Sequence, residues 1–277
     1  MNRRFSGEDT MQLTGKKIVI TRPSDQQEEF AELLSSLGAE TVRFPVIAIA
    51  PPDSWDAADR AIENLRKYDW IIFTSVNGVR FFADRLIAIN KDMAAALNSI
   101  KICAIGIKTA EVVEKYGLEV DFIPGEFRAE AVADGFMEMG SPGRNVLIPR
   151  AQVGRDVLPG ELERIGIKVD VIPVYKAVRP DPDVSNLRKM LSNREINVVT
   201  FTSGSCVINF LEIIGLDEYK ILLAGVKIAC ISPVTSDTVK KYGLNVDIIP
   251  DRYTVADLAG AIARYYNPTS PPFNKGG

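Results

Sequence analysis

The sequence predicts an α/β protein of two flavodoxin-like domains, each a doubly wound parallel sheet, joined by a two-stranded β-ladder. Three observations predict this fold class. Short β-branched runs alternate with amphipathic helical segments and no hairpin signal separates them, which indicates parallel sheets covered on both faces. The order of these segments occurs twice along the chain. Finally, 277 residues are enough for two domains of ordinary size, about 100–150 residues each.

An internal repeat underlies the two-domain prediction. The following segments match at a constant separation of 128 positions: Pro45 and Pro173, Thr21-Arg22 and Pro149-Arg150, Leu37-Gly38 and Ile165-Gly166, and Phe73-Thr74-Ser75 and Phe201-Thr202-Ser203. After a two-residue deletion, Lys115-Tyr116-Gly117-Leu118 matches Lys241-Tyr242-Gly243-Leu244 at a separation of 126. A separation that recurs along a chain indicates an internal duplication.

Each copy predicts five strands that alternate with helices. The predicted strands of the first copy cover 17–21, 40–49, 70–74, 102–105 and 120–123, and those of the second cover 145–149, 168–177, 198–202, 227–231 and 246–249. The first helix is predicted to begin at a capping box of Ser24 and Gln27 and to end at Gly38. Segments 40–49 and 168–177 are long and are followed by prolines, so they predict the crossings between domains.

Composition and charge exclude several classes of function. The net charge is −3 and the positive residues are scattered, so the basic stripe that duplex nucleic acid requires is not present. No apolar run has the length of a signal peptide or a membrane span, which predicts a cytosolic protein. The absence of histidine excludes Ser-His-Asp and Cys-His nucleophilic sites and the usual zinc sites. The three cysteines lack C-x-x-C spacing, and Cys103 and Cys230 are expected core residues.

Small, hydroxylic or glycine residues follow the predicted strands. These turns are Thr21-Arg22-Pro23-Ser24, Thr74-Ser75-Val76-Asn77-Gly78, Gly106-Ile107-Lys108-Thr109, Pro149-Arg150, Thr202-Ser203-Gly204-Ser205 and Ser232-Pro233-Val234-Thr235. Ligands of doubly wound sheets bind at this edge, and an anion at a helix N-terminus gains about 0.3–1 kcal/mol. The turns therefore predict a site for a polyanion. Helix capping alone also explains any single turn, and that alternative stays open.

Tyr175 follows Pro173 in the second crossing strand, where the first copy has Ile47. A phenol at a domain junction can donate a proton to a leaving oxygen. The alternative is a tyrosine that packs against the linker with its hydroxyl in water. No glycine-rich dinucleotide motif and no phosphate-binding loop occurs, so the sequence predicts no nucleotide cofactor.

Together these residues resemble the uroporphyrinogen-III synthases of tetrapyrrole synthesis. The resemblance rests on the order and spacing, over about residues 16–266, of Ile20-Thr21-Arg22-Pro23, Phe44-Pro45-Val46, Phe73-Thr74-Ser75, Gly106-x-x-Thr109, Ile172-Pro173-Val174-Tyr175 and Phe201-Thr202-Ser203. It implies one domain from 47–174 and a discontinuous one from 1–46 with 175–277, in which 1–14 and 267–277 are expected to be disordered. The strands at Pro45 and Pro173 would form the ladder between them, since strands that leave a sheet need partners for their backbone groups.

The resemblance also implies a reaction, the cofactor-free closure of the linear tetrapyrrole hydroxymethylbilane to uroporphyrinogen III with inversion of ring D and loss of water. It implies that Tyr175 is the acid that assists loss of the substrate hydroxyl. The residues expected to hold the substrate carboxylates are Arg22, Thr74, Ser75, Lys108, Thr109, Arg150, Ser203, Val234 and Thr235. Arg22, Lys108 and Arg150 are included because of their place at strand ends. The enzyme would be a monomeric lyase without a metal, and a transient contact with the upstream bilane-forming enzyme is compatible with its unstable substrate.

Two other classes of function stay open. A cytosolic two-domain small-molecule-binding or sensor protein would have the same hinged lobes around a cleft. Such a protein would leave the spontaneous type I product dominant when hydroxymethylbilane is supplied. A nucleotide-sugar transferase also has two such lobes, but its usual acidic or basic nucleotide contacts are not evident in this sequence.

Overall fold

A computed structural model describes residues 12–140, 143–154 and 156–268. The strands are β1 Lys17–Ile20, β2 Glu40–Arg43, β3 Ala48–Ala50, β4 Trp70–Phe73, β5 Lys101–Ala104, β6 Asn145–Ala151, β7 Lys168–Val178, β8 Val198–Phe201 and β9 Lys227–Cys230. The helices are α1 Glu28–Ser36, α2 Asp56–Glu63, α3 Val76–Ala88, α4 Met93–Leu97, α5 Ile107–Lys115, α6 Ala129–Glu138, α7 Val157–Arg164, α8 Ser185–Ser192, α9 Gly204–Ile214, α10 Tyr219–Leu222, α11 Pro233–Lys241 and α12 Val255–Tyr266. Within the described residues, no helix is both long enough and apolar enough to span a bilayer.

The chain divides into two compact units, and each contains one sheet. The first unit comprises Met1–Ala48 with Val178–Gly277, and the second comprises Ile49–Ala177. The sheet of the first unit has the strand order β2-β1-β8-β9, with every pair parallel. The sheet of the second has the order β3-β7-β6-β4-β5, and the pairs from β7 to β5 are parallel. The early strands β1 and β2 therefore share a sheet with the late strands β8 and β9, and β1 pairs with β8.

In the first unit, β1 shows why helices cover both faces of the sheet. Ile18 and Ile20 belong to the same buried cluster as Leu34 of α1, whereas Val19 belongs to a cluster with Phe210 of α9. All five side chains are fully buried. Each such side chain stabilises the fold by about 1.5–3 kcal/mol. Because successive strand residues point to opposite faces, a short continuous apolar run needs helices on both.

In the second unit, β4 has the same alternation. Phe73 packs edge-on against Phe82 of α3, with ring centroids 5.9 Å apart. Trp70 packs on the opposite face against Phe136 of α6, with centroids 4.9 Å apart. The predicted fold class, α/β with two doubly wound parallel sheets, is confirmed. The internal duplication stays a prediction.

The predicted long strand 40–49 is wrong, because the chain forms two short strands there. β2 ends at Arg43 and β3 begins at Ala48. Between them, the Phe44 N–H donates to the Ile20 carbonyl at 2.9 Å and the Val46 N–H donates to the Thr21 carbonyl at 3.2 Å. The second bond is one residue out of register, because a regular ladder would continue from Phe44 and Ile20 to Val46 and Arg22, so regular pairing ends at Arg43.

The predicted capping box of Ser24 and Gln27 is also wrong. Ser24–Gln26 forms a 3₁₀ turn, and α1 begins only at Glu28, with no side-chain cap. The Gln27 side chain is buried instead, and its Nε2 donates to the Arg22 carbonyl at 2.6 Å. That hydrogen bond satisfies a backbone acceptor at the end of β1, so the glutamine is not available to the helix start.

The predicted fifth strands, 120–123 and 246–249, are reduced to single bridges from Phe122 to Cys103 and from Ile248 to Ala229. A carboxylate interrupts each ladder. Asp121 accepts from the Ile102 N–H at 2.8 Å, and Asp247 accepts from the Ile228 N–H at 2.9 Å. An edge N–H that is bonded to a side chain cannot also serve a backbone partner, so the strand ends after one bridge.

The predicted disorder of 1–14 is wrong for its last residues. Leu13 is fully buried, and its N–H donates to the Leu37 carbonyl at 2.8 Å. Its apolar side chain fills the cluster beneath α1 and α12. The rest of the expected disordered segments, 1–11 and 269–277, lies outside the described residues.

Asp69 and Asn197 stand one residue before β4 and β8 and make the same contact in their own sheets. The Asp69 carboxylate accepts from the Asn145 N–H at 2.8 Å, and the Asn197 amide oxygen accepts from the Lys17 N–H at 2.8 Å. The hydrogen bond from Asn145, followed by that from Arg144, holds the pKa of Asp69 below its ordinary value of 3.8. A carboxylate with a lowered folded pKa adds stability above the ordinary value, and this stability is lost as the pH falls through the folded pKa.

Replacing Asp69 with asparagine should therefore flatten the loss of stability in acid. At pH 7 the unfolding free energy should change by less than about 1 kcal/mol, because Asn197 shows that an amide oxygen can accept the equivalent bond. Urea unfolding between pH 2 and 7 measures both effects. Asp217→Asn, at an exposed carboxylate, is the control. An unchanged acid slope in the Asp69 variant would contradict this role.

Candidate functional site

In the second unit, α3 begins directly after the turn that follows β4. Ser75 is the N-cap residue, and its Oγ accepts from the Gly78 N–H at 3.1 Å. The same Oγ lies 3.1 Å from the phenol oxygen of Tyr175. A serine that accepts from the backbone still has its own proton to donate, so it can donate to the phenol oxygen. The cap and the candidate acid are thus one hydrogen-bonded group.

Tyr175 owes its direction to a bulge in β7. Arg150 pairs with Pro173, but the next residue, Ala151, pairs with Tyr175, so Val174 is an extra residue without a partner in β6. A bulge of this kind changes the face to which the following side chains point. The shift also leaves the Tyr175 carbonyl to accept from the Gln152 N–H at 2.7 Å.

The direction of the Tyr175 side chain is visible in its packing. Ile172 and Val174 belong to the cluster on the α3 face of the sheet, and Val171 belongs to the cluster on the other face. Regular alternation would place Tyr175 with Val171. Because of the bulge it packs with Val174 instead, with its ring 5.8 Å from that of Phe81. The half-buried phenol therefore reaches Ser75.

A cavity of about 390 Å³ lies at this edge of the second unit. Its lining residues come from the ends of the strands and the starts of α3, α6 and α7, and they are Thr74, Ser75, Ile105, Phe127, Arg128, Ala129, Ile148, Arg150, Ala151, Gly154, Val157, Leu158, Pro159 and Tyr175. Four of the predicted site residues, Thr74, Ser75, Arg150 and Tyr175, thus lie around one cavity. Starts of helices favour negative charge, so three of them at one cavity favour an anionic occupant.

Arginines supply the positive charge of the cavity. The Arg150 side chain is 16% exposed and forms an ion pair with Asp156. Arg128, which is about half exposed, donates from Nε to Glu126 at 2.6 Å. Among the residues that the structure describes, no three histidine, cysteine or carboxylate side chains are grouped as metal ligands would be.

Lys108 and Thr109 lie at the neighbouring turn and do not line this cavity. The Thr109 side chain is 4% exposed, and its Oγ1 donates to the Ile105 carbonyl at 3.2 Å. Lys108 is exposed. The helix they begin, α5, starts after Gly106 at φ 100° without a side-chain cap. Any contact that Thr109 makes with a ligand would thus come from the backbone of this turn and not from its hydroxyl.

The first unit contains the remaining predicted residues at its own strand ends. Ser203 caps α9 by accepting from the Cys206 N–H at 3.2 Å. Ser232 caps α11, and its Oγ lies 3.2 Å from Oγ1 of Thr235, whose side chain is 2% exposed. Val234, between them, is 77% exposed. Two of the three predicted threonines, Thr109 and Thr235, are therefore buried in the first turns of their helices.

Arg22 lies two residues beyond the end of β1 in the first unit. Its Nη2 donates to Gln26 at 3.1 Å, whereas its buried Nε has no hydrogen-bond partner among the described residues. Burial lowers the pKa of the Arg22 guanidinium. A half-buried guanidinium with one unsatisfied donor can bind an additional acceptor, such as a carboxylate.

Comparison with known proteins identifies the family. A family model described as uroporphyrinogen-III synthase HemD matches residues 28–260. The chain belongs to the uroporphyrinogen-III synthase family. A uroporphyrinogen-III synthase of Synechococcus elongatus is 32% identical over 262 residues, which cover 93% of this chain and 98% of that protein.

Two further comparisons extend this result. The porphyrin biosynthesis protein HemD of Ruminiclostridium josui is 32% identical over 257 residues, which cover 93% of this chain and 49% of that protein. The crystal structure of uroporphyrinogen-III synthetase from Helicobacter pylori superposes with a TM-score of 0.56 at 17% identity, covering 88% of this chain and 96% of that one. At that identity the structural match supports the fold alone.

The sequence prediction missed Phe127 and Arg128, which line the cavity of this uroporphyrinogen-III synthase family member. The signal was present, because both residues follow the predicted strand 120–123 and directly precede α6. The rule that ligands bind beyond the carboxyl ends of strands covers this turn as well as the others. The turn 124–128 lacks the hydroxylic residues that mark most of the predicted turns.

Proposed function

We propose that this protein is a lyase that closes hydroxymethylbilane to uroporphyrinogen III, with inversion of ring D and loss of water. Membership of the uroporphyrinogen-III synthase family supports the proposal. The observation that carries it is the Tyr175 phenol, held 3.1 Å from Ser75 Oγ on the wall of a cavity that also contains Arg150. This arrangement offers a proton donor beside groups that attract carboxylates.

Tyr175 would donate its proton to the substrate hydroxyl as the carbon–oxygen bond breaks, which releases water and leaves an azafulvene cation. The Ser75 hydroxyl can donate to the resulting phenolate, because its oxygen already accepts from the Gly78 N–H. Ring D then attacks the cation through its substituted carbon to give a spiro intermediate, which reopens and closes in the inverted sense. The proton that ring D loses on closure restores the phenol, so atoms and charge balance.

The substrate reacts spontaneously, so the protein chiefly has to bind and bend it. We propose that Thr74, Ser75 and Arg150 bind its acetate and propionate groups in the second unit, with Lys108 and the backbone at Thr109 at the next turn. Each carboxylate at a helix start would gain about 0.3–1 kcal/mol, and up to about 2 kcal/mol when partly buried. Main-chain donors at several turns give this binding without a basic surface.

In the first unit, we propose that further carboxylates bind at Arg22, Ser203, Val234 and Thr235. The support is chemical. Arg22 has a buried Nε without a partner among the described residues, and Ser203 and Thr235 stand in the first turns of α9 and α11. We also propose a cytosolic monomer that needs no cofactor. A transient contact with the upstream bilane-forming enzyme would shorten the exposure of the unstable substrate.

Incubation with freshly prepared hydroxymethylbilane tests the proposed function. The porphyrinogens are oxidised and their isomers separated by chromatography. We expect the type III isomer to predominate with the native protein and the type I isomer to predominate with heat-denatured protein. A small-molecule-binding or sensor protein would leave type I dominant in both samples, and that result would overturn the proposal.

A further inference from the structure

The turn before α6 presents two cavity residues to which the mechanism above gives no role. Phe127 is 63% exposed, although it is a large aromatic residue, and it lines the cavity. Arg128 is the N-cap residue of α6, where its side chain makes no cap hydrogen bond, and it lines the same cavity. An aromatic ring and a guanidinium side by side match a ligand with a flat apolar body and a carboxylate substituent.

The rest of the cavity has the same dual character. Its apolar wall contains Ile105, Ile148 and Leu158, and its second cation is Arg150. Its volume of about 390 Å³ lies near the lower end of the range for ligand sites, roughly 300–1,000 Å³. A site of that size suits one substituted ring and not a chain of four.

We infer that Phe127 and Arg128 are positioning residues that hold one acetate- and propionate-bearing pyrrole of the substrate in this cavity. Phe127 packs on the face of the pyrrole, and Arg128 binds one of its carboxylates. This inference rests on the proposed function, because only that function supplies a tetrapyrrole. It gives the substrate a fixed place within reach of Tyr175, which lines the same cavity.

The carboxylates around Arg128 orient its guanidinium but do not occupy all of its N–H donors. Its Nε donates to Glu126 at 2.6 Å, and its Nη1 lies 3.8 Å from Glu130, which is beyond hydrogen-bond distance. A guanidinium has five N–H donors in a fixed fork, so donors remain for a substrate carboxylate. Without Arg128, the two glutamates would repel the substrate carboxylates, and this raises the expected effect of its loss.

A purely structural role for Arg128 makes a different prediction. Exposed ion pairs contribute about 0–1 kcal/mol to stability, so their loss would hardly change turnover or affinity. Arg164 offers the matched comparison, because it pairs with Glu161 at the far end of α7 and does not line the cavity. Ile87 is the corresponding control for Phe127, since it is 61% exposed on α3 and also lies outside the lining.

The test compares Arg128→Gln and Phe127→Ala with Arg164→Gln and Ile87→Ala. Arg128→Gln should raise KM by about tenfold with a smaller change in kcat, the loss expected for one charge-assisted hydrogen bond, and Arg128→Lys should restore part of it. Phe127→Ala should raise KM and the fraction of type I product. Both controls should match the native protein. If the two cavity variants also match it in KM and isomer ratio, the inference is wrong.

Binding of porphobilinogen, a single pyrrole with one acetate and one propionate, separates this inference from the proposed function. NMR titration of the native protein should show saturable binding that Arg128→Gln weakens by about tenfold and Arg164→Gln leaves unchanged. Such binding by a protein that forms no type III product would refute the proposed function and keep the pyrrole subsite. Type III formation with no effect of Arg128→Gln on either measurement would refute the subsite and keep the function.

Discussion

Replacing Tyr175 with phenylalanine should lower kcat by about 10- to 100-fold, which is at or below the low end of the usual loss, about 100-fold, for removal of a general acid. The substitution removes the phenol proton and the hydrogen bond to Ser75, at 3.1 Å, but keeps the ring that packs against Phe81. The loss should be partial because the helix starts and arginines of the cavity would still bind and bend a self-reactive substrate. As the enzymatic path slows, spontaneous closure should raise the fraction of type I isomer.

Single-turnover and steady-state assays with isomer separation measure this effect. Tyr68→Phe is the matched control, because the Tyr68 hydroxyl donates to Asp170 at 2.6 Å and the residue does not line the cavity. That variant should lose some stability and keep the native kcat. A Tyr175→Phe enzyme with native kcat and native isomer ratio would refute the proposed acid role.

The fold class could be predicted because the pattern of apolar and polar residues along the sequence reflects which residues are buried. The mostly apolar runs at 70–74 and 198–202 do not alternate with exposed polar residues, which predicts strands covered on both faces, and every residue of β4 and β8 is buried. Local patterns also located the helices that follow them. Local patterns failed at three strand ends. The carboxylates of Asp121 and Asp247 ended two strands, and a register shift between Phe44 and Val46 ended a third.

Which strands pair could not be deduced from periodicity. β1 has β2 and β8 as neighbours, although β8 lies about 180 residues later in the sequence. The short strands of both units are apolar and of similar length, so their local patterns fit several partners. Contacts between residues far apart in the sequence accompany the pairing of β1 with β8. Thr21 Oγ1 donates to the Thr200 carbonyl at 2.7 Å, and Thr200 Oγ1 donates to the Val19 carbonyl at 2.8 Å, all inside the first unit.

The sequence predicted which strand ends contribute to the candidate site, but it did not predict the directions of the side chains there. Their places at strand ends and in the crossing strand, together with the family resemblance, singled out Thr74, Ser75, Arg150 and Tyr175, and the structure brings them to one cavity. The face to which Tyr175 points depends on the bulge at Val174, which has no partner in β6. The sequence contains no pattern that predicts this bulge. Phe127 and Arg128 lie after the predicted strand 120–123, in a turn without the hydroxylic residues that mark most of the other predicted turns.

Replacing Gly78 with alanine should lower the unfolding free energy by about 1–3 kcal/mol, as overpacking in a tight contact does. An added Cβ would lie 2.9 Å from the Pro149 carbonyl oxygen in β6. That oxygen belongs to the backbone of a strand paired on both sides, so it cannot move aside and α3 must shift. Because the Gly78 N–H bonds to Ser75 Oγ, the shift should also disturb the contact with Tyr175 and lower kcat.

Gly204→Ala is the matched control, at the start of α9 in the other unit. There an added Cβ would lie 2.8 Å from Thr238 Oγ1, a side-chain atom, so relief costs a χ1 rotation and its hydrogen bond to the Val234 carbonyl but no backbone shift. Alanine also gains up to about 1 kcal/mol over glycine in a helix, so this variant should stay within about 1 kcal/mol of the native protein. Urea unfolding of both variants, with kcat for each, measures the difference. If the two variants lose equal stability, the contact with the Pro149 carbonyl oxygen is not the reason for glycine at position 78.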